Sequence, residues 1–338
     1  MKLLPSGKDE YLRILQRWGI IIGLLGFLIW FMVSMPGQTY TGRLNQLSDE
    51  EIILRDNFKS HVCMLAEKIG PRSVSSLNQL NASVNYIKEQ FTTFGYTVTE
   101  QRFQARDIEV CNIIAEIRPV NAPEEIIVVG AHYDSVAGMP GANDNASGVA
   151  ALLELARMMK KSPPPRKRIR FVAFVNEEPP FFLTEKMGSF VHAREARDNG
   201  EKITAMYALE TVGYYSDAEK SQHYPPVFSL FYPDKGNFIG FIGNLRSRHL
   251  VRQSINTFRK TTSFPSEGVA TFGWIPGIFW SDHWSFWKHG YPAIMITDTA
   301  PFRYQFYHTD KDTPDKLDYE RMARVVNGLF PVIRKAAE

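Results

Sequence analysis

Cysteine is scarce in this sequence, and charges of the two signs nearly balance. Among 338 residues only two are cysteine, Cys63 and Cys111, too few for a disulfide framework or a cysteine-rich structural zinc site. They form either one disulfide or two buried thiols. The 39 basic and 36 acidic residues give a formal net charge of +3, and residues 1–17 carry most of that surplus. The rest of the chain lacks the basic excess that neutralises phosphates, so no nucleic-acid partner is expected.

Several catalytic signatures are also missing. The sequence has no G-x-S-x-G motif, which marks the nucleophile of many serine hydrolases. It has neither the zinc motif H-E-x-x-H nor the phosphate-binding loop G-x-x-x-x-G-K-[ST]. A serine hydrolase of that type and a nucleotide-binding loop of that type are therefore not supported.

One long hydrophobic run lies near the N-terminus. Residues 18–35 carry no charge, and a helix of that length spans about 27 Å, close to the roughly 30 Å of a bilayer core. The run closes on Val33-Ser34-Met35-Pro36 without a small-x-small cleavage site, which favours a transmembrane anchor over a cleaved signal peptide. Because positive charge precedes the run, residues 1–17 are expected in the cytoplasm and the chain beyond the anchor outside it.

The sequence after the anchor predicts a linker and one domain. Residues 36–50 are polar and rich in turn formers, and we interpret them as a linker to a globular domain, residues 51–338. Strand-like runs alternate there with amphipathic helical stretches; the runs are YTVTEQRF, VCNIIAEI, EIIVVGAHYDS, RIRFVAFVNEE, ITAMYALE and PAIMITDT. The pattern predicts an α/β fold, with a mostly parallel central sheet sandwiched by helices and preceded by one transmembrane helix.

Side chains of the types that bind metal ions, histidine, aspartate and glutamate, lie at the ends of several predicted strands. In open α/β sheets, sites form outside the carboxyl ends of the strands, so these side chains are expected to converge. Imidazoles and carboxylates without thiolates suit a catalytic zinc site better than a structural one. The candidates are His132, Asp134, Asp144, Glu177, Glu178, Glu210 and His308.

Each candidate has an ordinary structural alternative. A single histidine after a strand is more often hydrogen-bonded than a metal ligand, and a single glutamate there is usually solvated. The adjacent Glu177 and Glu178 are harder to explain in that way, because like charges repel unless a cation or a proton separates them. His132 and Asp134 lie two residues apart in an extended segment, so both point to the same side and the carboxylate can orient the imidazole.

Five segments together resemble the co-catalytic zinc exopeptidases of metallopeptidase family 28, which include many aminopeptidases. They are AHYDS, GANDNASG, NEE, ALETVGY and YHTDKDTPDKL, and the resemblance covers roughly residues 55–335. The bridging Asp144 lies twelve residues after His132. In a related deacylase and carboxypeptidase family with a similar H-x-D start, that aspartate usually lies much farther from the histidine.

The resemblance implies a role for each candidate. Asp144 would bridge two zinc ions, one completed by His132 and Glu210, the other by Glu178 and His308. Glu177 would be the general base, taking a proton from a water held by the two metals. Asp134, as its spacing from His132 indicates, would orient that imidazole without binding metal.

Further implications concern neighbouring residues. Glu210 stands where the best-known aminopeptidases have aspartate, which keeps the charge but lengthens the side chain by one methylene. The Asp144–Asn145 peptide bond is expected to be cis. Tyr307 either donates a hydrogen bond to the oxyanion or packs, and Ser281-Asp282-His283 is expected to begin a helix rather than to supply a ligand.

Two other segments have open interpretations. The aromatic residues between 272 and 287 are expected to place one or two rings in a substrate pocket and the rest in the core. Residues 231–244 form either a loop that closes over the site or a plain connection.

The leading functional hypothesis is a membrane-anchored dizinc aminopeptidase or related exopeptidase that acts on peptides outside the cytoplasm. One alternative is an acyltransferase like the glutaminyl cyclases, which share the fold but use a single zinc and lack the full ligand set. The other is a binding-only homologue without metals, which retention of five ligands and Glu177 disfavours.

Overall fold

The computed structural model describes residues 8–119 and 124–338. Its helices are α1 (Lys8–Val33), α2 (Asp49–Cys63), α3 (Leu77–Thr93), α4 (Gly148–Lys160), α5 (Gly188–Asp198), α6 (Arg248–Thr261), α7 (His283–Lys288) and α8 (Tyr319–Ala336). Its strands are β1 (Val98–Ala105), β2 (Ile108–Ile117), β3 (Glu125–His132), β4 (Arg168–Phe174), β5 (Lys202–Glu210), β6 (Ile239–Asn244), β7 (Ser266–Thr271) and β8 (Ala293–Thr297).

The strands form one sheet in the order β1-β2-β4-β3-β5-β8-β6-β7. The central strands β4, β3, β5 and β8 are parallel, and so are β6 and β7. Antiparallel pairs lie toward both ends of the sheet, β1 with β2, β2 with β4, and β6 with β8. This arrangement confirms the predicted α/β fold with a mostly parallel sheet.

Helices cover both faces of the sheet. On one face α2, α4, α6 and α8 pack against one another and against the strands, forming the larger apolar core. Helices α5 and α7 lie on the other face with a smaller core. Successive residues of β3 alternate between the cores, Ile127 and Val129 in the larger, Ile126 and Val128 in the smaller. A strand buried on both sides requires a continuous apolar sequence, which explains IIVV.

Most predicted strands lie within two residues of the observed ones, but two strands were not predicted. Residues 231–244, interpreted as a loop or connection, include β6, whose sequence IGFIGN contains two glycines. Glycine is unfavourable in strands, so the pattern hid this one. The edge strand β7, SEGVAT, has few large apolar residues.

The N-terminal helix α1 is long and apolar enough over Tyr11–Val33 to cross a membrane or to serve as a signal sequence. The polar segment after it lies against the body. The Arg259 guanidinium donates to the Pro36 carbonyl (3.1 Å), and the Ser266 amide donates to Thr39 Oγ1 (2.9 Å). Helix α2 then begins at Asp49.

The two cysteines are free thiols, so the single disulfide considered from the sequence does not form. Cys63 is half-buried and Cys111 is buried. Burial raises the pKa of the Cys111 thiol to about 11 and also raises that of Cys63. Both thiols are therefore protonated and poorly nucleophilic at neutral pH.

Candidate metal centre

Three neighbouring parallel strands deliver four of the candidate residues to one edge of the sheet. His132 ends β3, the middle one of the three, and Glu210 ends β5. Strand β4 ends at Phe174, which pairs with His132 across the ladder, and Glu177 and Glu178 follow it. Because β4, β3 and β5 are adjacent, their carboxyl ends lie side by side. The expected convergence of these side chains is observed.

Asp144 is supplied by the turn between β3 and α4. The Asp144–Asn145 peptide bond is cis, as the resemblance implied. Gly141 opens the turn at φ +61°, and a Cβ there would lie 2.3 Å from the Asp144 carbonyl oxygen, so only glycine fits. Asn145 ties the turn to β5, because its Nδ2 donates to the Leu209 carbonyl (2.8 Å) and its Oδ1 accepts from the Thr211 amide (3.1 Å).

The side chains form two clusters that share Asp144. In the first, His132 Nε2 lies 3.2 Å from Asp144 Oδ1 and 3.3 Å from Glu210 Oε2. In the second, His308 Nε2 lies 3.0 Å from Asp144 Oδ2 and 3.6 Å from Glu178 Oε2. Each cluster brings one atom from each of three residues within 4.8 Å of one another, a spacing that can hold a metal ion.

Unpaired atoms at the two clusters fit a cation. His132 Nε2, Asp144 Oδ1 and Glu178 Oε1 are buried and have no hydrogen-bond partner within residues 8–119 and 124–338. Buried polar atoms are rarely left without a partner, and three of the nine such side-chain atoms in the described residues belong to the two clusters. Imidazole with carboxylate is a donor set that suits zinc. The residues present therefore fit two metal ions.

The electrostatics lead to the same conclusion. Burial raises the pKa of Glu178, and the neighbouring carboxylates of Asp144 and Glu177 raise it further. Burial also opposes the ionisation of Asp144, but the two imidazoles beside it keep the pKa of that carboxyl below its ordinary value. So many carboxyl groups away from water need positive charge to be ionised together.

Glu177 lies beside the first cluster without belonging to either. Its Oε2 is 3.9 Å from His132 Nε2, and its side chain is buried. Burial raises the pKa of Glu177, and repulsion from Glu210 adds to the shift, while His132 opposes it. The shift arises from crowding carboxyl groups away from water, and positive charge held at the clusters would oppose it.

Asp134 organises these side chains. Its Oδ1 accepts from the Glu177 amide (3.2 Å) and lies 3.6 Å from His132 Nδ1, and its Oδ2 accepts from the Glu178 amide (3.1 Å). One carboxylate therefore fixes the backbone of both glutamates and lies beside the imidazole. The sequence indicated the contact with His132 but not the two amides.

Tyr307 and His308 follow β8 in an irregular segment. Tyr307 is half-buried and stacks on the His308 imidazole, with 3.8 Å between the ring centroids. Burial raises the pKa of the Tyr307 phenol, and the surrounding carboxylates raise it further. The phenol is therefore protonated and can donate a hydrogen bond.

Other residues that support the site escaped the sequence analysis. Asp312 accepts from the amides of Asn143 (2.8 Å) and Asp144 (3.1 Å). The buried Arg72 guanidinium donates to carbonyls on both sides of the turn, those of Tyr133 (2.8 Å) and Gly141 (2.7 Å). Asp312 lies inside the YHTDKDTPDKL segment, where its position was a usable signal, whereas nothing around Arg72 distinguishes it.

The Ser281-Asp282-His283 segment behaves largely as expected. His283 begins α7, and its Nε2 lies 2.7 Å from the Ile278 carbonyl, so it belongs to neither cluster. Ser281 has an unexpected role, because its Oγ donates to Glu210 Oε2 (2.6 Å).

A mostly apolar pocket adjoins the clusters, and Glu210 and Tyr307 line it. Residues of the strands β6, β7 and β8 also line it. Trp280 lines this pocket, and the other aromatic residues between 272 and 287 do not. Its remaining apolar walls come from Phe228, Tyr232, Phe238, Ile242, Val269, Ile278, Met295 and Phe302.

The mostly parallel sheet flanked by helices is the fold of the zinc exopeptidases. The chain belongs to peptidase family M28, whose profile matches residues 112–333. It is also 41% identical over 321 residues to YfbL of Escherichia coli K12, a protein described as uncharacterized, covering 92% of this chain and 98% of that one.

Solved structures with different activities share the fold. The zinc aminopeptidase BSAP of Bacillus subtilis matches with a TM-score of 0.67 and 17% identity, over 84% of this chain and 95% of that one. A glutaminyl cyclase of Fimbriiglobus ruber matches with a TM-score of 0.62 and 21% identity, over 89% of this chain and 99% of that one. Both likenesses concern the fold alone.

Proposed function

We propose that this protein is a membrane-anchored dizinc exopeptidase, most closely an aminopeptidase, that removes N-terminal residues from peptides. Zinc would be held by His132, Asp144 and Glu210 at one position, and by Asp144, Glu178 and His308 at the other. The division of the two Asp144 oxygens between the clusters carries the proposal, because a shared carboxylate is what a two-metal site needs and a single-zinc site does not.

Zinc bound there would lower the pKa of a water molecule and polarise the substrate carbonyl. Glu177 then takes the proton of the attacking water at its carboxylate and returns a proton to the leaving amine. The amides of Glu177 and Glu178 donate to Asp134, and these hydrogen bonds keep the Glu177 carboxylate directed at the clusters. The protonated Tyr307 phenol, on the pocket side, donates a hydrogen bond to the developing oxyanion.

The apolar pocket supports a preference for substrates with an apolar side chain. It begins at Glu210 and Tyr307, so a peptide whose carbonyl lies at the clusters can place its neighbouring side chain inside. One carboxylate, Glu267, also lines the pocket, but it lies 3.6 Å from the Arg259 guanidinium. Burying an apolar side chain there would contribute roughly 1.5–3 kcal/mol.

The location of the catalytic domain is part of the proposal. Residues 1–17 would lie in the cytoplasm, residues 18–35 would span the membrane, residues 36–50 would connect, and residues 51–338 would act outside the cytoplasm. The length and composition of α1 support the span, and the basic residues before it support the orientation.

The experiment is a peptide digest by the zinc-loaded full chain in detergent, followed by mass spectrometry. Peptides beginning with leucine are offered with free and acetylated N-termini, and with free and amidated C-termini. We expect stepwise loss of N-terminal residues, unaffected by amidation and abolished by acetylation. Peptides beginning with aspartate should be cleaved more slowly, because the pocket is apolar.

The same digest separates the alternatives. Release of residues from the C-terminus would contradict the aminopeptidase proposal. A peptide beginning with glutamine that loses ammonia without hydrolysis would indicate a glutaminyl cyclase. No conversion of any peptide would indicate a binding homologue.

A further inference from the structure

The C-terminal end of helix α1 is docked on the catalytic domain. Arg248 Nε donates to the Phe31 carbonyl (2.8 Å), and its guanidinium lies 3.7 Å from the centre of the Phe31 ring. Arg252 donates to the Ser34 carbonyl. Both arginines belong to α6, so the end of α1 is fixed to a core helix of the domain.

The edge strand β7 supplies a second set of contacts with α1. The Thr271 hydroxyl donates to Met32 Sδ (3.0 Å). A Cβ on Gly268 would lie 3.0 Å from Met35 Cγ, so the methionine packs directly against the strand backbone. Helix α1 therefore ends across the edge of the sheet.

If α1 spans a bilayer, its contacts with α6 and β7 fix how far the contacting residues lie from the membrane. The apolar stretch Tyr11–Val33 has 23 residues, which give about 34 Å of helix, slightly more than the hydrocarbon core. Phe31 and Ser34 lie at the outer end of that stretch, so side chains of the domain that touch them then lie near the level of the lipid headgroups. Arg248, Arg252 and the end of β7 are in that position.

Exposed apolar side chains cluster around the same edge. Outside α1, the described part of the chain has eight exposed large apolar residues, and four of them flank β7. Trp274 is 73% exposed and stacks on Phe272, directly after β7. Val227, Leu230 and Phe231 precede Tyr232, whose hydroxyl donates to the Gly268 carbonyl on β7 (2.8 Å). Aromatic and aliphatic groups of this kind are favoured at the membrane interface.

Unpaired positive charge lies on the same side. Residues 245–261 include five arginine and lysine residues and no acidic residue. Arg246, Arg248 and Arg252 make no ion pair with a carboxylate of residues 8–119 or 124–338. Arg246 lines one cavity with Thr271 and Phe272, which places it beside the aromatic pair. Basic residues near a membrane surface are attracted to anionic lipid by about 1 kcal/mol each.

We propose that these residues form a membrane-contacting face, and define it as Arg246, Arg248, Arg252, Trp274 and residues 227–231. The face rests on anionic headgroups and holds the catalytic domain in one orientation on the bilayer, with the apolar pocket close to the membrane surface, since Phe228 and β7 line that pocket. The inference rests on the anchoring part of the proposed function.

The test places a fluorescent probe on single cysteines of the full chain, in a background where Cys63 and Cys111 are serine. Trp274→Cys and Leu230→Cys probe the face. Leu77→Cys, at the start of α3, is the matched control because Leu77 is also apolar and exposed. The chain is reconstituted in phosphatidylcholine vesicles with and without phosphatidylglycerol, and a quencher lipid is included in each.

We expect the probes at 274 and 230 to lose most of their emission to the quencher lipid, and the probe at 77 to keep it. Quenching at 274 and 230 should be stronger with phosphatidylglycerol, and Arg246→Glu should reduce that difference. Emission at 274 and 230 that matches the probe at 77 would overturn the inference.

A fourth position separates this inference from the anchoring itself. A probe at Leu25→Cys, in the middle of α1, should be quenched by lipid with the quencher in the acyl chain. Quenching at 25 without quenching at 274 and 230 would leave the anchor standing and refute the face. No quenching at 25 would refute the anchor.

Discussion

Two carboxylates of the candidate metal centre, Asp144 and Glu210, each contact two other groups. Asp144 offers one oxygen to each imidazole, His132 and His308. Glu210 is one methylene longer than the aspartate expected from the resemblance, yet its Oε2 still reaches within 3.3 Å of His132 Nε2. The same oxygen accepts from Ser281 Oγ (2.6 Å). That hydrogen bond restrains the longer side chain and keeps it at the cluster.

His192 gives a pH prediction away from the metal centre. Burial, followed by repulsion from Arg170, lowers its pKa to about 3. Its Nε2 lies 3.3 Å from Arg170 Nη1 and its Nδ1 lies 3.0 Å from Gln101 Oε1, which fits the neutral ring. The unfolded chain binds a proton at this histidine below about pH 6.5 whereas the folded chain does not, so stability falls as the pH falls from about 6.5 towards 3.

The measurement is the free energy of unfolding of the full chain in detergent, at pH 7 and pH 5. Between pH 7 and pH 5, the free energy of unfolding of His192→Gln should decrease by about 2 kcal/mol less than that of the wild type. His223→Gln, at an exposed histidine, should leave the loss unchanged. If the wild type and His192→Gln lose the same free energy, the buried histidine is not the cause.

At the scale of elements, the ends of β3 and β4 are joined by one side chain. Asp134 follows β3 and accepts from the two backbone amides that follow β4. The position of Glu177 and Glu178 therefore depends on a residue from another strand. A side chain of the same shape cannot replace Asp134 unless both of its terminal atoms accept hydrogen bonds, as the two carboxylate oxygens do.

Asp134→Asn tests that dependence. The side-chain NH₂ of asparagine would face one of the two backbone N–H groups, and two donors cannot form a hydrogen bond. One of the two hydrogen bonds to the amides of Glu177 and Glu178 is therefore lost, and the glutamates shift. We expect zinc affinity to fall about 10–100-fold, measured by competition with a chelator, and hydrolysis to fall with it. Asp107→Asn, an exposed change in the β1–β2 turn, should affect neither. Unchanged zinc affinity in Asp134→Asn would show that Asp134 does not position the ligands.

The same elements show what the sequence could predict. Strands β3, β4 and β5 have long apolar runs that end on charged residues, so both the strands and the site residues could be predicted from local sequence. Strands β6 and β7 could not, because glycine and short length hide their pattern and their pairing is nonlocal. Arg72 and Ser281 act through contacts across the fold, and local sequence carries no signal for such contacts.

At the scale of the whole molecule, the parallel centre of the sheet explains why the site lies where it does. Only parallel neighbours bring several strand ends to one edge, and β4, β3 and β5 do so. The α/β class followed from the alternation of strands and helices. The docking of α1 on β7 and α6 could not be predicted, because the polar composition of residues 36–50 indicated a free linker.

The most direct test of the account is to measure zinc content and hydrolysis together in the wild type and in Glu177→Gln. Because Glu177 belongs to neither cluster, we expect both proteins to bind two zinc ions per chain. Hydrolysis of aminoacyl-nitroanilides should fall about 10²–10⁴-fold in the variant. One zinc ion per chain in the wild type, or an unchanged rate in Glu177→Gln, would contradict the proposed two-metal site with Glu177 as its base.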